Sequence, residues 1–186
     1  MGETFFISDL HFGHQNVLGY DNRPWLNIED HDNALINNWN NQVGYKDEVY
    51  ILGDVSWHNV TKTIQIMESL NGNKHLIIGN HDSRYVKNPD FRKCFNEVVD
   101  YKELGSKDDL IVLCHYPIPC FKNHYYGAFH LYGHVHNAYE WNMMKYFKKM
   151  SEDLYDKPCN MYNVGVMIPY MDWSPQTLEA IRCENV

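Results

Sequence analysis

The chain is 186 residues long, with 44% hydrophobic and 22% charged residues and a formal net charge of −8 at pH 7. That length suits a single domain spanning 1–186, with a core about two layers deep, and the acidic balance speaks against a broad grip on nucleic-acid backbone, so long nucleic acid is not an expected partner. No apolar run approaches the length of a membrane span, and the start Met1-Gly2-Glu3-Thr4-Phe5-Phe6 lacks the basic, apolar lead of a secretory signal.

In chain order, residues 4–8 read as a buried strand that runs into Ser8-Asp9-Leu10-His11. A polar loop containing Asn22-Arg23-Pro24-Trp25 follows. Residues 30–42 place Ala34, Leu35 and Trp39 at helical spacing, continued by Val43, with Asp30 as the expected cap. Residues 48–52 form a second strand, ending on Gly53-Asp54. A helix over 61–70 is capped by Asn59 or Thr61. The strand at 75–78 runs into Gly79-Asn80-His81-Asp82. Further strands are expected at 97–101, 110–114, 128–132 and 161–167. The 110–114 strand leads to His115-Tyr116-Pro117, and the 128–132 strand to Gly133-His134-Val135-His136. Residues 139–158 read as an amphipathic helix or surface loop, or as a flap over a site. Strands alternate with helices early and follow one another later. That pattern implies an α/β domain of two sheets flanked by helices.

Five cysteines, odd in number and without a CxxC pair, read as free thiols of a reducing cytoplasm. Eleven histidines are the unusual feature. Histidine is the commonest metal ligand and the usual neutral-pH acid or base, and many of these stand in the motifs just named.

Those five motifs share one grammar: an apolar strand ends and an Asp, Asn or His element begins. In layered α/β domains, strand ends gather at one sheet edge, where ligands bind. Convergence would assemble carboxylates, one amide and several imidazoles. A donor set of O and N without thiolate suits divalent Mn, Fe, Zn, Ni or Co rather than a cysteine-based structural zinc. The number of donors exceeds one tetrahedral site and fits two ions, which about 3.5–4 Å apart can clamp the oxygens of a phosphoryl displacement. Glycine before Asp54, Asn80 and His134 allows close backbone approach or a positive φ.

The ordered set D-x-H, G-D, G-N-H-D, H and G-H-x-H resembles the calcineurin-like metallophosphoesterase superfamily, and the segment Asn22-Arg23-Pro24-Trp25 resembles a small prokaryotic and phage-type branch of it. The motifs run from Asp9 to His136, and Asn163-Val164-Gly165-Val166 resembles the family's closing strand. The resemblance implies a four-layer α/β/β/α sandwich with a dinuclear metal site at the C-terminal strand edges. It implies one metal on Asp9, His11 and His136, a second on Asn80, His115 and His134, and Asp54 bridging them. It further implies a bridging water or hydroxide as nucleophile and His81 as the general acid. Two divalent ions, Mn2+ first among them, are the cofactors so implied. An imidazolium beside two dications needs a carboxylate to hold its proton, and Asp82 is the nearest in sequence.

The chain departs from the serine/threonine protein phosphatases of that superfamily, because Trp57 and His58 stand where those enzymes carry Asp and Arg. Arg23 is the expected replacement cation for substrate, with a structural salt bridge as its other reading. His14 and His58, beside metal motifs, are further expected substrate contacts, with a histidine behind the ligands or in solvent as the other reading of each. The activity expected is hydrolysis of small phosphodiesters, nucleotide-derived or cyclic nucleotides among them. A phosphomonoesterase, a nuclease and a non-catalytic metal-binding scaffold are the alternatives.

Overall fold

Phe5, Phe6 and Ile7 form an unbroken apolar run, which requires both faces of a strand to be covered. In the computed structural model, which describes residues 2–107 and 109–183, this run is β1 (Thr4–Ile7). It lies between β2 (Glu48–Ile51) and β9 (Gln176–Thr177). The first sheet has the order β4-β3-β2-β1-β9, adding β3 (Asn73–Ile77) and β4 (Glu97–Val99), and only β9 runs antiparallel. The second sheet has the order β5-β6-β7-β8, from β5 (Tyr101–Leu104), β6 (Ile111–Cys114), β7 (Phe129–Tyr132) and β8 (Met161–Asn163). Here β6, β7 and β8 are parallel and β5 is the antiparallel edge.

The single strand expected at 97–101 is therefore two strands in different sheets. The chain leaves β4 at Val99 and enters β5 at Tyr101, so Asp100 alone spans the change. Side-chain alternation fixes which face is buried, not which sheet a strand joins, so the sequence pattern ran the two together.

The second sheet covers two cores. Leu113, Leu131 and Tyr162 are register neighbours and belong to the cluster that holds Phe5, Ile7, Ile51 and Leu76 of the first sheet. Val112, Tyr132 and Met161 face the other way, into a smaller cluster with Phe121. Against that cluster packs α5 (Tyr139–Tyr155), through Trp141, Met144 and Phe147. Thus residues 139–155, for which helix and flap were both open, form a helix with one side on the second sheet. On the first sheet, α2 (Ile28–Gln42) contributes Leu35 and Trp39, and α3 (Val60–Ser69) contributes Ile66 and Met67, while the one-turn helices α1 (Val17–Tyr20) and α4 (Pro89–Arg92) lie in the connections after β1 and β3. Each such buried side chain contributes about 1.5–3 kcal/mol.

The cap of α2 is Asn27 rather than Asp30: its Oδ1 accepts Asp30 N at 2.9 Å. Extending the helix back to Ile28 puts Glu29 and Asp30 in the first turn, where the helix dipole favours carboxylates. Asn59 caps α3, accepting Lys62 N at 2.9 Å. Among the described residues no helix is long and apolar enough to cross a membrane.

Candidate metal centre

All five motif loops leave the C-terminal ends of parallel strands. Asp9 and His11 follow β1, Asp54 follows β2, Asn80 and His81 follow β3, His115 follows β6, and His134 and His136 follow β7. Parallel strands point the same way, so their chain exits meet at one edge. The first two loops then run side by side, with Asp9 N donating to Gly53 O (3.1 Å) and His11 N to Asp54 O (3.0 Å).

Five of the seven candidate ligands hold left-handed backbone: Asp9 (φ 56°), His11 (53°), Asp54 (56°), His134 (69°) and His136 (47°). For non-glycine residues each such conformation costs about 1–3 kcal/mol and concentrates at functional sites. Two of the motif glycines earn their place differently. Gly53 has φ +85°, whereas a Cβ on Gly133 would overlap the Ser8 hydroxyl and approach Asp9 Oδ2 to 2.5 Å.

The side chains converge. Asp9, His11 and His136 form one group able to hold a cation, and Asp9, Asp54 and His115 another, with donor atoms within 4.8 Å of each other in each group. Asp9 thus borders both. Asp54 Oδ2 lies 3.7 Å from His11 Nε2, 3.6 Å from His115 Nε2 and 3.9 Å from His81 Nε2, in the middle of the cluster. Asn80 Oδ1 sits 3.0 Å from His115 Nε2 and 2.9 Å from His134 Nδ1.

Hydrogen bonds outside the cluster set which lone pairs face inward. His115 donates Nδ1–H to Leu52 O (2.6 Å), which leaves its Nε2 lone pair against Asn80 Oδ1, two acceptors with no proton between them. His136 donates Nδ1–H to Asp21 Oδ1 (2.8 Å), which turns its Nε2 lone pair toward Asp9 Oδ1 at 3.7 Å. Asp9 and Asp54 are buried, at 0% and 2% exposure. Two buried carboxylates among inward-facing lone pairs call for positive charge. That donor chemistry fits divalent cations. His11 fits only after a change of tautomer: Trp57 Nε1 donates to its Nδ1 (3.1 Å), which places the ring proton on Nε2, so ligation through Nε2 would move that proton to Nδ1 and break the Trp57 bond.

The titration behaviour follows the same crowding. Burial, then His136 and Arg23, push His11 well below the ordinary histidine value. Burial raises Asp54, against the pull of His115. For His136 burial works against the charged form, but Asp21 and Asp9 outweigh it and the net shift is upward.

Three expectations are corrected here. Arg23, expected at the substrate, is 4% exposed and spends its donors inside the protein. Nε and Nη2 hold Asp21 Oδ2 (2.9 and 2.8 Å), Nη1 reaches Leu10 O (2.9 Å) and His31 Nε2 (2.8 Å), and Nη2 reaches Asp9 O (2.9 Å). It therefore ties the left-handed Asp9–His11 turn to the carboxylate that orients His136. His58 is held by Asp32, Nε2 to Oδ2 at 2.7 Å, and the same Asp32 binds His31 Nδ1 (2.8 Å) and Gly13 N (3.2 Å). Its Nε2 is thus committed to a structural carboxylate. Asp82, the expected partner of His81, is fully buried and faces backbone instead. It accepts Asp54 N (2.9 Å), Gly79 N (2.8 Å) and Val55 N (3.0 Å), and burial pushes it up to about 6. The carboxylate nearest the His81 ring is Asp54, whose Oδ1 also accepts His81 N at 2.9 Å.

His14 does lie beside the cluster, its ring stacked on Trp57 at 4.2 Å and 5.5 Å from His11. Asp21 and the indole donor of Trp57 were missed by sequence reasoning. No period or spacing marks Asp21, whose one clue is its place two residues before Arg23 in a polar loop.

Comparison with known proteins finds no matching family model. An uncharacterized protein of Methanocaldococcus jannaschii is 46% identical over 84 residues, 44% of this chain and 48% of that protein. The gene 66 protein of Mycobacterium phage L5 is 38% identical over 96 residues, 50% of this chain and 46% of its own length. The matched segments thus span about half the length of these curated relatives. Among solved structures, a protein of unknown function from Aquifex aeolicus superposes with a TM-score of 0.71 at 25% identity, covering 99% of this chain and 100% of its own. Partial likenesses are the Pseudomonas putida nuclease MPE (TM-score 0.44, 20% identity, 72% of this chain and 60% of that one) and YfcE, a phosphoesterase from E. coli (0.37, 16%, 71% and 69%). Scores that low carry no weight for function. The chain shares its whole fold with the Aquifex protein and two groups of Asp and His residues able to hold metal mark its strand edge.

Proposed function

We propose that this chain is a dinuclear metal-dependent phosphoesterase hydrolysing small phosphodiesters. The observation that supports it most is one connected cluster drawn from five strand ends: His11 and His115 lie against Asp54 Oδ2, Asp9 and His136 join His11, and Asn80 bridges His115 and His134. The two parallel-rich sheets, with α2 and α3 on one and α5 on the other, support reading the fold as one four-layer α/β/β/α domain. Asp9, His11 and His136 would hold one divalent cation, Asn80, His115 and His134 the other, and Asp54 would touch both, with Mn2+ the first candidate. The chemistry such cations would supply is positive charge for the phosphoryl oxygens and a more acidic water.

The chain's own residues do the rest. His81 stands at the rim with its side chain 41% exposed, and donates a proton to the leaving oxygen as the phosphorus–oxygen bond breaks. Asp54 anchors the backbone that carries that ring by accepting His81 N. His14, at the rim beside His11, is the remaining candidate for contact with substrate.

The test is turnover of bis-p-nitrophenyl phosphate and p-nitrophenyl phosphate by protein loaded with Mn2+. Hydrolysis of the diester with the higher kcat/KM is expected. Preference for the monoester moves the reading to a phosphomonoesterase, and turnover of neither removes it.

A further inference from the structure

Among the described residues, α5 is covered on one side only. Trp141, Met144 and Phe147 pack on the second sheet, whereas Tyr139, Met143, Tyr146, Met150 and Leu154 are between 52% and 79% exposed. Tyr155, also exposed, stacks on Tyr125 instead, with ring centroids 6.0 Å apart. Spaced three and four residues apart, the other five share one face of the helix. Apolar side chains scattered singly over a surface need no explanation, but a contiguous row marks a place of contact. Tyrosine and methionine are also enriched where proteins meet.

Charge identifies what fits there. A second row of exposed side chains, Asn142, Lys145, Lys149, Asp153 and Asp156, runs along one edge of the apolar row. Its charges change sign halfway, from Lys145 and Lys149 to Asp153 and Asp156. Lys149 Nζ bonds Asp153 Oδ1 of its own helix at 2.7 Å, and Lys145 Nζ lies 4.1 Å from the Trp141 ring, yet both lysines remain exposed. In an antiparallel pair about a two-fold axis, each edge meets the same edge of the other copy in reverse order. Lys145 and Lys149 of each copy then face the Asp156 and Asp153 end of the other. In a parallel pair that edge would meet the opposite one, which carries Glu140 and Phe147, and the order of its charges would gain nothing. The groove between Tyr139, Asn142, Lys145, Tyr146 and Lys149, about 520 Å³ in volume, joins two tyrosines to two lysines. A second copy of the helix offers the matching element, Leu154 beside Asp153 and Asp156.

We propose that the exposed face of α5 is the interface of a homodimer, in which it pairs antiparallel with α5 of a second copy of this chain. The proposal does not rest on the phosphoesterase reading, because its test reads mass rather than turnover. A single helix pair lies at the small end of specific interfaces, about 1,200 Å² or less in total, so association in the micromolar range is expected.

Sedimentation equilibrium of the full chain over a concentration series should show monomer and dimer in exchange. Met150→Asp puts a charge in the middle of the face and should raise the dissociation constant by about 10-fold or more, with the circular dichroism spectrum retained. Two charge variants test the partner and its direction. Lys145→Glu with Lys149→Glu makes the edge wholly acidic. Asp153→Lys with Asp156→Asn makes it basic, and asparagine suits the left-handed backbone at position 156 (φ 51°). Each variant alone should stay monomeric where the native chain pairs, and an equal mixture of the two should form a heterodimer, which also shows that both are folded. A native chain that remains a monomer at millimolar concentration would overturn the proposal. So would a dimer unmoved by Met150→Asp, a charge variant that pairs with itself as tightly as the native chain, or a mixture that stays monomeric. Capture of a different protein by this face on a monomeric chain would overturn it as well, and would give the surface to that other partner.

Discussion

One carboxylate links the last motif to the first: Asp21 Oδ1 lies 2.8 Å from His136 Nδ1, while its Oδ2 receives Arg23 Nε and Nη2 at 2.9 and 2.8 Å. The His136 and Arg23 bonds hold Asp21 below its ordinary value despite burial, which alone would raise it. A carboxylate behind a ligating imidazole fixes the ring's tautomer and increases its basicity, and losing one typically costs about 10–100-fold in metal affinity. Asp21→Asn should therefore weaken Mn2+ binding by about that factor in calorimetric titration, with the circular dichroism spectrum retained. Unchanged affinity would show that Asp21 serves Arg23 alone.

His81 contacts the cluster through its backbone N–H, a 3.9 Å approach to Asp54 and an edge-on contact with the His11 ring (5.9 Å). His81→Asn should keep metal content and reduce turnover most for esters with poor leaving groups. General acid catalysis contributes about 10²–10⁴-fold, chiefly where the departing oxygen needs its proton. Equal losses on p-nitrophenyl and alkyl esters would refute that role.

Asp82 accepts three backbone N–H groups from the loops that carry Asp54 and Asn80. Each buried donor left without an acceptor costs about 1–3 kcal/mol. Asp82→Asn replaces one acceptor oxygen by a donor, so unfolding free energy in urea should fall by about 3 kcal/mol. A loss of turnover with unchanged stability would instead argue for direct partnership with His81.

His130 offers a pH dependence away from the metal ligands. It is buried, donates Nδ1–H to Val112 O (3.0 Å) and accepts Ile118 N at Nε2 (2.9 Å), so the neutral ring is fully satisfied. Burial pushes its pKa down from 6.5 to about 4. The unfolded chain therefore takes up the proton first, and stability drops as pH falls from 6.5 toward about 4. The drop should be about 3 kcal/mol. Urea melts of chelator-treated protein at neutral pH and near pH 4 should show this component, and His130→Gln should lack it. Equal acid sensitivity in both proteins would contradict the assignment.

The strand ends were legible because each pairs a run such as Phe5-Phe6-Ile7 with an abrupt polar element, a purely local pattern. The helices were legible for the same reason, though Asn27 was passed over as cap because Asp30, three residues later, has equal propensity. Arg23 could not be placed from sequence. A guanidinium in a polar loop looks alike whether it faces solvent or an internal carboxylate, and only the approach of Asp21, Leu10 O and Asp9 O decides it. Asp82 misled for a related reason: adjacency to His81 in the chain says nothing about direction, and the turn at Asp82–Arg84 aims its side chain at backbone.

The one-residue passage from β4 to β5 at Asp100 divides the candidate ligands and, β9 apart, the strands of the two sheets. Asp9, His11, Asp54 and Asn80 are encoded before it, and His115, His134 and His136 after it. Neither stretch alone brings together the groups that meet around Asp54 Oδ2. A cation bound there would act as a rivet across the seam, and its affinity would gauge how completely two separately encoded halves have closed on each other.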